Sequence, residues 1–515
     1  MSSSPNAEAV PTRRRPGWGS RDAATLAQAL TRDRAVQALI VLTLLGGVLR
    51  FATLDARGYW VDEAATVDLL RQGFWSMLSE VASIESSPPL YFALAWLWAN
   101  VFGTGEVALR SLSALLGTAT IPVVYGVAAA LVSRRAALAA ALLASVSPLL
   151  VWHAQDARPY ALLILCSGLT VLFFVWALGK QRGWLLAGWA ASSALALATS
   201  YLTAFLVVAE AVWLLRRARP RRDVLLAIGA VGAVGLALAP YALEQQQNQS
   251  ASWIGSQALA PRLVQIPAQF LVGYQPPLQR TSVAIFGLLV LAALWLLLTR
   301  ADPGERRGAR VVAILAGVAL LGPLVLALGG LDGLITRTVT AAWVPLVVVV
   351  AAGFAARGVG RAGLVTLAAV CALSLAVVVS TADDPKFERE DWRGAARAVG
   401  PVSDRAIVIS PENGSLPFRY YRPADRELAG TGPRVQEIVL IGFGPEHRTI
   451  GQRPEPPRPA KVEPPAPGFE QVQRVNADTY TLIRFRAQEP ISVGPSLAEK
   501  GLEANAAVLI EASNE

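Results

Sequence analysis

Charge is what this 515-residue chain has little of: only 16% of its residues are Asp, Glu, Lys or Arg, against roughly 25% in a soluble globular domain. It also has only two cysteines and two histidines. Cys166 and Cys371 both fall inside apolar runs, so they read as small buried hydrophobes, and a disulfide framework or a zinc-ligand spacing is excluded. The formal net charge of +9 does not point to nucleic acid. The basic residues sit in short clusters between apolar runs: Arg13 to Arg15, Arg134-Arg135, Lys180 with Arg182, Arg216 to Arg222, Arg306 to Arg310, and Arg357 with Arg361. Such a pattern follows from the positive-inside rule for multi-pass membrane proteins.

What the chain does have is apolar sequence, 54% of its residues. Runs of the roughly 20 residues that a bilayer core demands recur from Ala35 to Ser380. The first run, Ala35 to Thr53, is expected as a retained helix, because no small-residue cleavage site follows it. Further spans are expected at 109–132, 136–153, 159–179, 184–199, 201–215, 224–243, 281–299, 311–329, 338–356 and 363–380, about eleven in all. The short, Trp-rich stretch after Pro88-Pro89 is expected at the membrane surface, since counting it as a span would put Arg134-Arg135 outside. The fold class is thus an α-helical polytopic membrane protein with external juxtamembrane helices, N-terminus cytoplasmic.

After Thr381, charge and proline return, and apolar residues come in short clusters such as Ile407-Val408-Ile409 and Val439-Leu440-Ile441. A small external α/β domain is expected over 381–490, interrupted by the Pro-rich stretch Arg453 to Pro467. Residues 1–34 read as a cytoplasmic tail, 35–380 as the transmembrane domain, and 491–515 as a loosely held tail.

Carboxylates at a membrane surface are costly to desolvate and are kept for a reason. Asp62 and Glu63 stand between Gly58-Tyr59-Trp60-Val61 and Ala64-Ala65, in the expected external segment 54–108. Asp156 stands in a second external turn, between Trp152-His153 and Pro159-Tyr160. Two external turns that each present an acid beside aromatics suggest one pocket, in which a carboxylate can take a proton from an attacking hydroxyl. The competing interpretation is local: Asp62 caps a helix, and Asp156 pairs with Arg158.

Several stretches in order carry a resemblance: Gly58 to Ala64, Pro88-Pro89-Leu90-Tyr91, Glu106 to Ala114, Ser147-Pro148 through His153 to Tyr160, Arg337 ahead of Trp343-Val344-Pro345, and Asp391 to Ala396. Together they resemble the GT-C glycosyltransferases of the protein-mannosyltransferase and aminoarabinose-transferase type (family 39-like). The resemblance covers most of residues 36–400. It implies a sugar donor linked to polyprenyl phosphate, transfer to an acceptor hydroxyl at the outer face, and acidic site residues in the first two external loops. Asp62 is then expected as the base, with Glu63 beside it, and inversion follows from direct displacement.

Arg337 and Arg158 are expected to hold the phosphate through their planar donor forks, and Asp156, Tyr160 and Tyr59 to contact substrate. Glu63, Asp156 and His153 are the residues that a divalent ion would use, with no cofactor certain. Membrane lipids and a glycolipid, polysaccharide or protein acceptor are the expected partners. Ser87 and Thr199-Ser200-Tyr201 depart from the polar groups common in that family, which leaves acceptor and metal open. The alternative function is a multi-pass transporter or lipid flippase, against which stands the clustering of charge at one face rather than at span centres. The loop Glu244 to Arg280 is expected as a lid.

Overall fold

The computed structural model describes residues 33–180, 182–248, 252–384, 387, 389–401, 404–428, 432–444, 461–503 and 505–511. The N-terminal arginines 13–15 and most of the Pro-rich stretch 453–467 lie outside the described residues. The helices are, in order, α1 (Arg34–Phe51), α2 (Val61–Leu70), α3 (Phe74–Ile84), α4 (Leu90–Phe102), α5 (Glu106–Leu131), α6 (Arg134–Val146), α7 (Pro148–Ala154), α8 (Tyr160–Lys180), α9 (Gly183–Leu197), α10 (Ala204–Arg217), α11 (Arg221–Gln247), α12 (Ser252–Gly255), α13 (Leu259–Val272), α14 (Gln279–Arg300), α15 (Pro303–Leu328), α16 (Trp343–Phe354) and α17 (Arg361–Asp383). Outward faces stay apolar: Leu288, Leu291 and Leu298 of α14 are all exposed, which is tenable only against lipid.

The expectation of about eleven spans is overturned. Among the described residues seven helices are long and apolar enough to cross a membrane: α1, α5, α8, α11, α14, α15 and α17. They become eight if the pair α6 and α7, bent by 55°, is one broken span. The runs expected at 184–199, 201–215 and 338–356 form helices of 15, 14 and 12 residues. At 1.5 Å per residue these are roughly 18 to 22 Å long, short of the ~30 Å apolar layer. Hydropathy counts apolar residues but does not see where the helix that carries them stops. The bend between α6 and α7 comes at Ser147-Pro148, where Pro148 has no N–H to continue the ladder and the Ser147 hydroxyl accepts from the Leu150 N–H.

Beyond α17 the chain forms α18 (Trp392–Val399), β1 (Arg405–Ile409), α19 (Ser415–Tyr421), β2 (Arg426–Glu427), β3 (Arg434–Phe443), β4 (Phe469–Asn476), β5 (Tyr480–Ser492) and β6 (Ala507–Ile510). This domain is β-rich, a single six-stranded sheet in the order β2-β6-β1-β3-β5-β4. Only β1 and β3 run parallel; the other pairs are antiparallel. Alternate residues of β1 serve two cores: Ala406 and Val408 pack with Phe469 and Phe485, while Ile407 and Ile409 pack with Trp392 of α18 and Phe418 of α19. The segment after Pro490, expected as a loose tail, instead supplies β6, which pairs with β1 on one side and β2 on the other.

The domain docks on the segment that leads into α2. Tyr421 Oη accepts from the Tyr59 N–H at 2.6 Å and donates to Glu106 Oε1 at 2.8 Å. Arg393 donates to the Asp55 carbonyl at 2.9 Å, and Arg57 to that of Thr381 at 2.7 Å.

Candidate functional site

Asp62 is the second residue of α2, whose first turn it shares with Glu63. The two neighbours point to different tasks. Glu63 is fully buried and is gripped by Arg110 of α5, with Nε on Oε1 at 2.8 Å and Nη2 on Oε2, while the Ala157 N–H donates to Oε1 at 2.8 Å. Arg110 also donates to the carbonyls of Leu54, Arg57 and Gly58. Burial pushes the Glu63 carboxyl up, but Arg110 outweighs it and holds the group below its ordinary range. Glu63, expected beside the base, therefore joins α2, α5 and the 155–159 turn, and it does not line the cavity described next.

Asp62 faces a cavity of about 530 Å³ together with Asp156, His153, Tyr160, Arg337 and Arg389. Its Oδ2 accepts from Arg337 Nη1 at 2.8 Å. Burial raises the Asp62 carboxyl, yet Arg337, Arg158 and Arg389 together hold it below the usual carboxylate value. Arg337 lies between two rings, 5.8 Å from the centroid of Tyr160 and 5.1 Å from that of Trp253. The stretch ahead of it is pinned by Arg262 of α13, which donates to Asp332 Oδ1 at 2.8 Å and to the Leu334 carbonyl at 2.9 Å. Among the described residues of the 244–280 segment, α12 and α13 both contribute to the cavity wall.

Asp156 closes the opposite wall. Its Oδ1 accepts from Trp60 Nε1 at 3.1 Å and from Arg389 Nη1 at 3.2 Å. Arg389 Nη2 lies 3.0 Å from Oδ2 without the alignment of a hydrogen bond. Burial pushes the Asp156 carboxyl up to about 6, with Arg389 pulling down and Glu63 pushing up. Arg389 is stacked 4.6 Å from the ring centroids of both Trp60 and Trp152. No local signal in the sequence marks Arg389; it enters from the linker between α17 and α18.

The remaining expected residues are placed as follows. Arg158 does not pair with Asp156 but with Glu85, at 2.7 and 2.8 Å, and it also donates to Thr66 Oγ1 and to the Asp62 carbonyl. It braces α2 from outside the cavity. Tyr59 is fully buried, and its hydroxyl donates to the Thr104 carbonyl, so it too stays out of the cavity. His153 lines it, with Nε2 3.3 Å from the Tyr274 hydroxyl. Of the three residues a divalent ion would use, Asp156 and His153 share the cavity and Glu63 is committed to Arg110. Among the described residues no three His, Cys, Asp or Glu side chains gather as a metal cluster.

Residues 86–243 match the family model described as dolichyl-phosphate-mannose-protein mannosyltransferase. Among curated proteins none is similar enough to match. The chain's fold is similar to that of ArnT from Cupriavidus metallidurans bound to undecaprenyl phosphate, with a TM-score of 0.52 at 14% identity over 86% of this chain and 97% of that one. The archaeal oligosaccharyltransferase AglB from Archaeoglobus fulgidus gives 0.47 at 11% identity over 80% and 70%. The arabinofuranosyltransferase AftD from Mycobacteria gives 0.45 at 16% over 92% and 40%. The last two are too distant to argue from; the first shares the fold. The family model over the central helices and the fold shared with ArnT both liken this chain to membrane glycosyltransferases, and two acid–arginine pairs stand around the cavity described above.

Proposed function

We propose that the protein moves a sugar from a polyprenyl-phosphate donor to an acceptor hydroxyl at the outer membrane face, with Asp62 as the base. The observation that carries this reading is the 2.8 Å Asp62–Arg337 pair on the wall of the cavity that also holds Asp156. Both partners keep about a quarter of their side-chain surface exposed, 26% for Asp62 and 23% for Arg337. The phosphodiester of an entering donor, singly charged with two unbridged oxygens, offers Arg337 a bidentate partner and competes with Asp62 for it. Relieved of that arginine, Asp62 becomes a stronger base at the moment an acceptor is in place.

The acceptor oxygen then forms its bond to the anomeric carbon while the bond from that carbon to the phosphate oxygen breaks. The acceptor proton passes to Asp62, and polyprenyl phosphate leaves with its charge on Arg337. Displacement by one base in one step inverts the anomeric centre. An apolar groove between α1 and α17, lined by Leu49, Val378 and Val379 and reaching Trp152, suits the lipid chain. That the matching ArnT structure holds undecaprenyl phosphate supports the same donor class.

The orientation follows from the helix ends. The arginine clusters at 134–135, 306–310 and 361 begin α6, α15 and α17, whose other ends approach the cavity or the C-terminal domain. With those basic ends cytoplasmic, the cavity and the C-terminal domain lie outside. Residues 35–383 then form the catalytic membrane domain, and the described residues after them its external domain. Glu210, fully buried within the helical bundle, is satisfied by Trp189 Nε1 at 2.8 Å and Thr170 Oγ1 at 3.2 Å, which favours a structural role over transport.

The test is a transfer assay on purified protein with a panel of polyprenyl-phosphate sugars. Asp62→Asn should lower kcat by about 10²- to 10⁴-fold, the usual contribution of a general base. Full turnover by that variant would remove Asp62 from the mechanism.

A further inference from the structure

The charges around the cavity are largely matched inside the protein. Asp62 pairs with Arg337, Asp156 with Arg389, and Arg262 with Asp332, and Glu390 also has a partner. Asp156 Oδ2 and His153 Nδ1 face it without a hydrogen bond, and two uncharged side chains of its lining make none at all. Gln269 is only 6% exposed, and its amide has no hydrogen-bond partner among the described residues. The Tyr160 hydroxyl, on a residue 7% exposed, has none either. Both line the same cavity as Asp62 and Arg337.

Helix periodicity explains how Gln269 comes there. Arg262, Gln265, Ile266 and Gln269 of α13 all line the cavity, at spacings of three, four and seven residues, so one face of this helix is turned inward. Arg262 is spent on Asp332, and Gln265 has its own interaction. Gln269 is left as a donor and an acceptor on a single side chain. Trp152, Trp253 and Tyr274 supply flat apolar walls beside it. The amide and the phenol belong to largely buried residues, yet their polar atoms stay accessible from the cavity, and a ligand group that both donates and accepts satisfies them. A sugar hydroxyl does both, and the C–H face of a sugar ring suits an aromatic wall.

We infer that Gln269, with the Tyr160 hydroxyl, forms the subsite for hydroxyls of the transferred sugar. This inference rests on the glycosyl-transfer reading above and deepens it. Gln269 is the specificity-determining residue: it contacts the sugar, whereas Arg337 contacts the phosphate.

The experiment uses the full chain in lipid nanodiscs. The probes are polyprenyl-phosphate-linked mannose, glucose and arabinose as neutral donors, and the 4-amino-4-deoxy form of arabinose as the cationic one. Wild type should consume at least one of these donors. Gln269→Leu should lose about 10- to 100-fold in kcat/KM for that donor, since a site built around a hydroxyl is left with the group unpaired. Its elution profile and its inhibition by free polyprenyl phosphate should stay within twofold of wild type, as the phosphate is held elsewhere. Deoxygenating the donor one position at a time should penalise the wild type at one position and leave Gln269→Leu indifferent there. Tyr160→Phe should act in the same direction. Turnover of that donor at the wild-type rate by Gln269→Leu overturns the inference while leaving glycosyl transfer standing. Consumption of none of the donors by wild type overturns both.

Discussion

Asp62, Arg337, Asp156 and Arg389 form two acid–base pairs around one cavity, and each pair sets its own pH behaviour. Burial alone would raise Asp62, and Arg337 is the first-ranked group that lowers it. Arg337→Met should therefore raise the Asp62 pKa and move the acid limb of kcat/KM upward by about one unit or more, with turnover at neutral pH down by roughly 10²-fold. A pH–rate profile of the two proteins checks both parts. Asp156 behaves oppositely. Its folded value, about 6, lies above the ordinary 3.8, so its contribution to stability is fully present below the unfolded value and is lost as pH rises through about 6. Melting curves of wild type and Asp156→Asn should then converge below pH ~4, separate between pH ~4 and ~6 in favour of the variant, and stay apart by a constant amount above that. A difference that does not vary with pH would contradict this account. Asp62 and Glu63 are adjacent in sequence and part company here: one faces the cavity, the other is a buried strut.

At the scale of elements, buried arginines hold helices where the cavity needs them. Arg50, fully buried near the end of α1, donates to the carbonyls of Gly46 at 2.8 Å, Ser145 at 3.1 Å and Ala144 at 2.9 Å. The last two belong to the end of α6, where the helix breaks before Pro148 and leaves carbonyls that lipid could not satisfy. The break in turn aims α7, with Trp152 and His153, at the cavity. Arg50→Met should destabilise the protein by about 1 to 3 kcal/mol per carbonyl left bare, measured as a lower melting temperature in detergent. The Glu63–Arg110 pair gives a sharper contrast. Glu63→Gln leaves a buried arginine uncompensated and should cost about 3 to 5 kcal/mol, seen as aggregation on a sizing column. Asp62→Asn should elute normally and be inactive. Close helix packing is equally local: a Cβ on Gly353 of α16 would lie 2.0 Å from the Ala293 carbonyl oxygen of α14, so only glycine lets these helices meet.

For the molecule as a whole, the C-terminal domain is part of the site rather than an appendage. It reaches the cavity through Arg389 and Glu390 of its linker and Asn413 ahead of α19, and it grips the strand of chain before α2 through Tyr421 and Arg393. Tyr421→Phe deletes the bonds to Tyr59 and Glu106 and should reduce turnover by about 10-fold, a little over 1 kcal/mol, with the domain still folded. Near-wild-type kcat in that variant would show that docking does not steer α2.

The apolar runs, the basic clusters between them and the aromatic setting of Asp62 and Asp156 were legible because each is a local pattern with one physical cause. Hydropathy and the positive-inside rule by themselves determined a polytopic membrane protein, and the order of short motifs pointed to the glycosyltransferase fold. Only the tertiary structure decided how many runs become full-length helices, because length depends on where Ser147-Pro148 and the ends of α9, α10 and α16 stop the hydrogen-bond ladder. It alone assigned the acids as well. Whether Asp62 or Glu63 faces the cavity depends on Arg110, Arg337 and Arg389, which lie 47 to 327 residues away along the chain and which no local pattern connects to them.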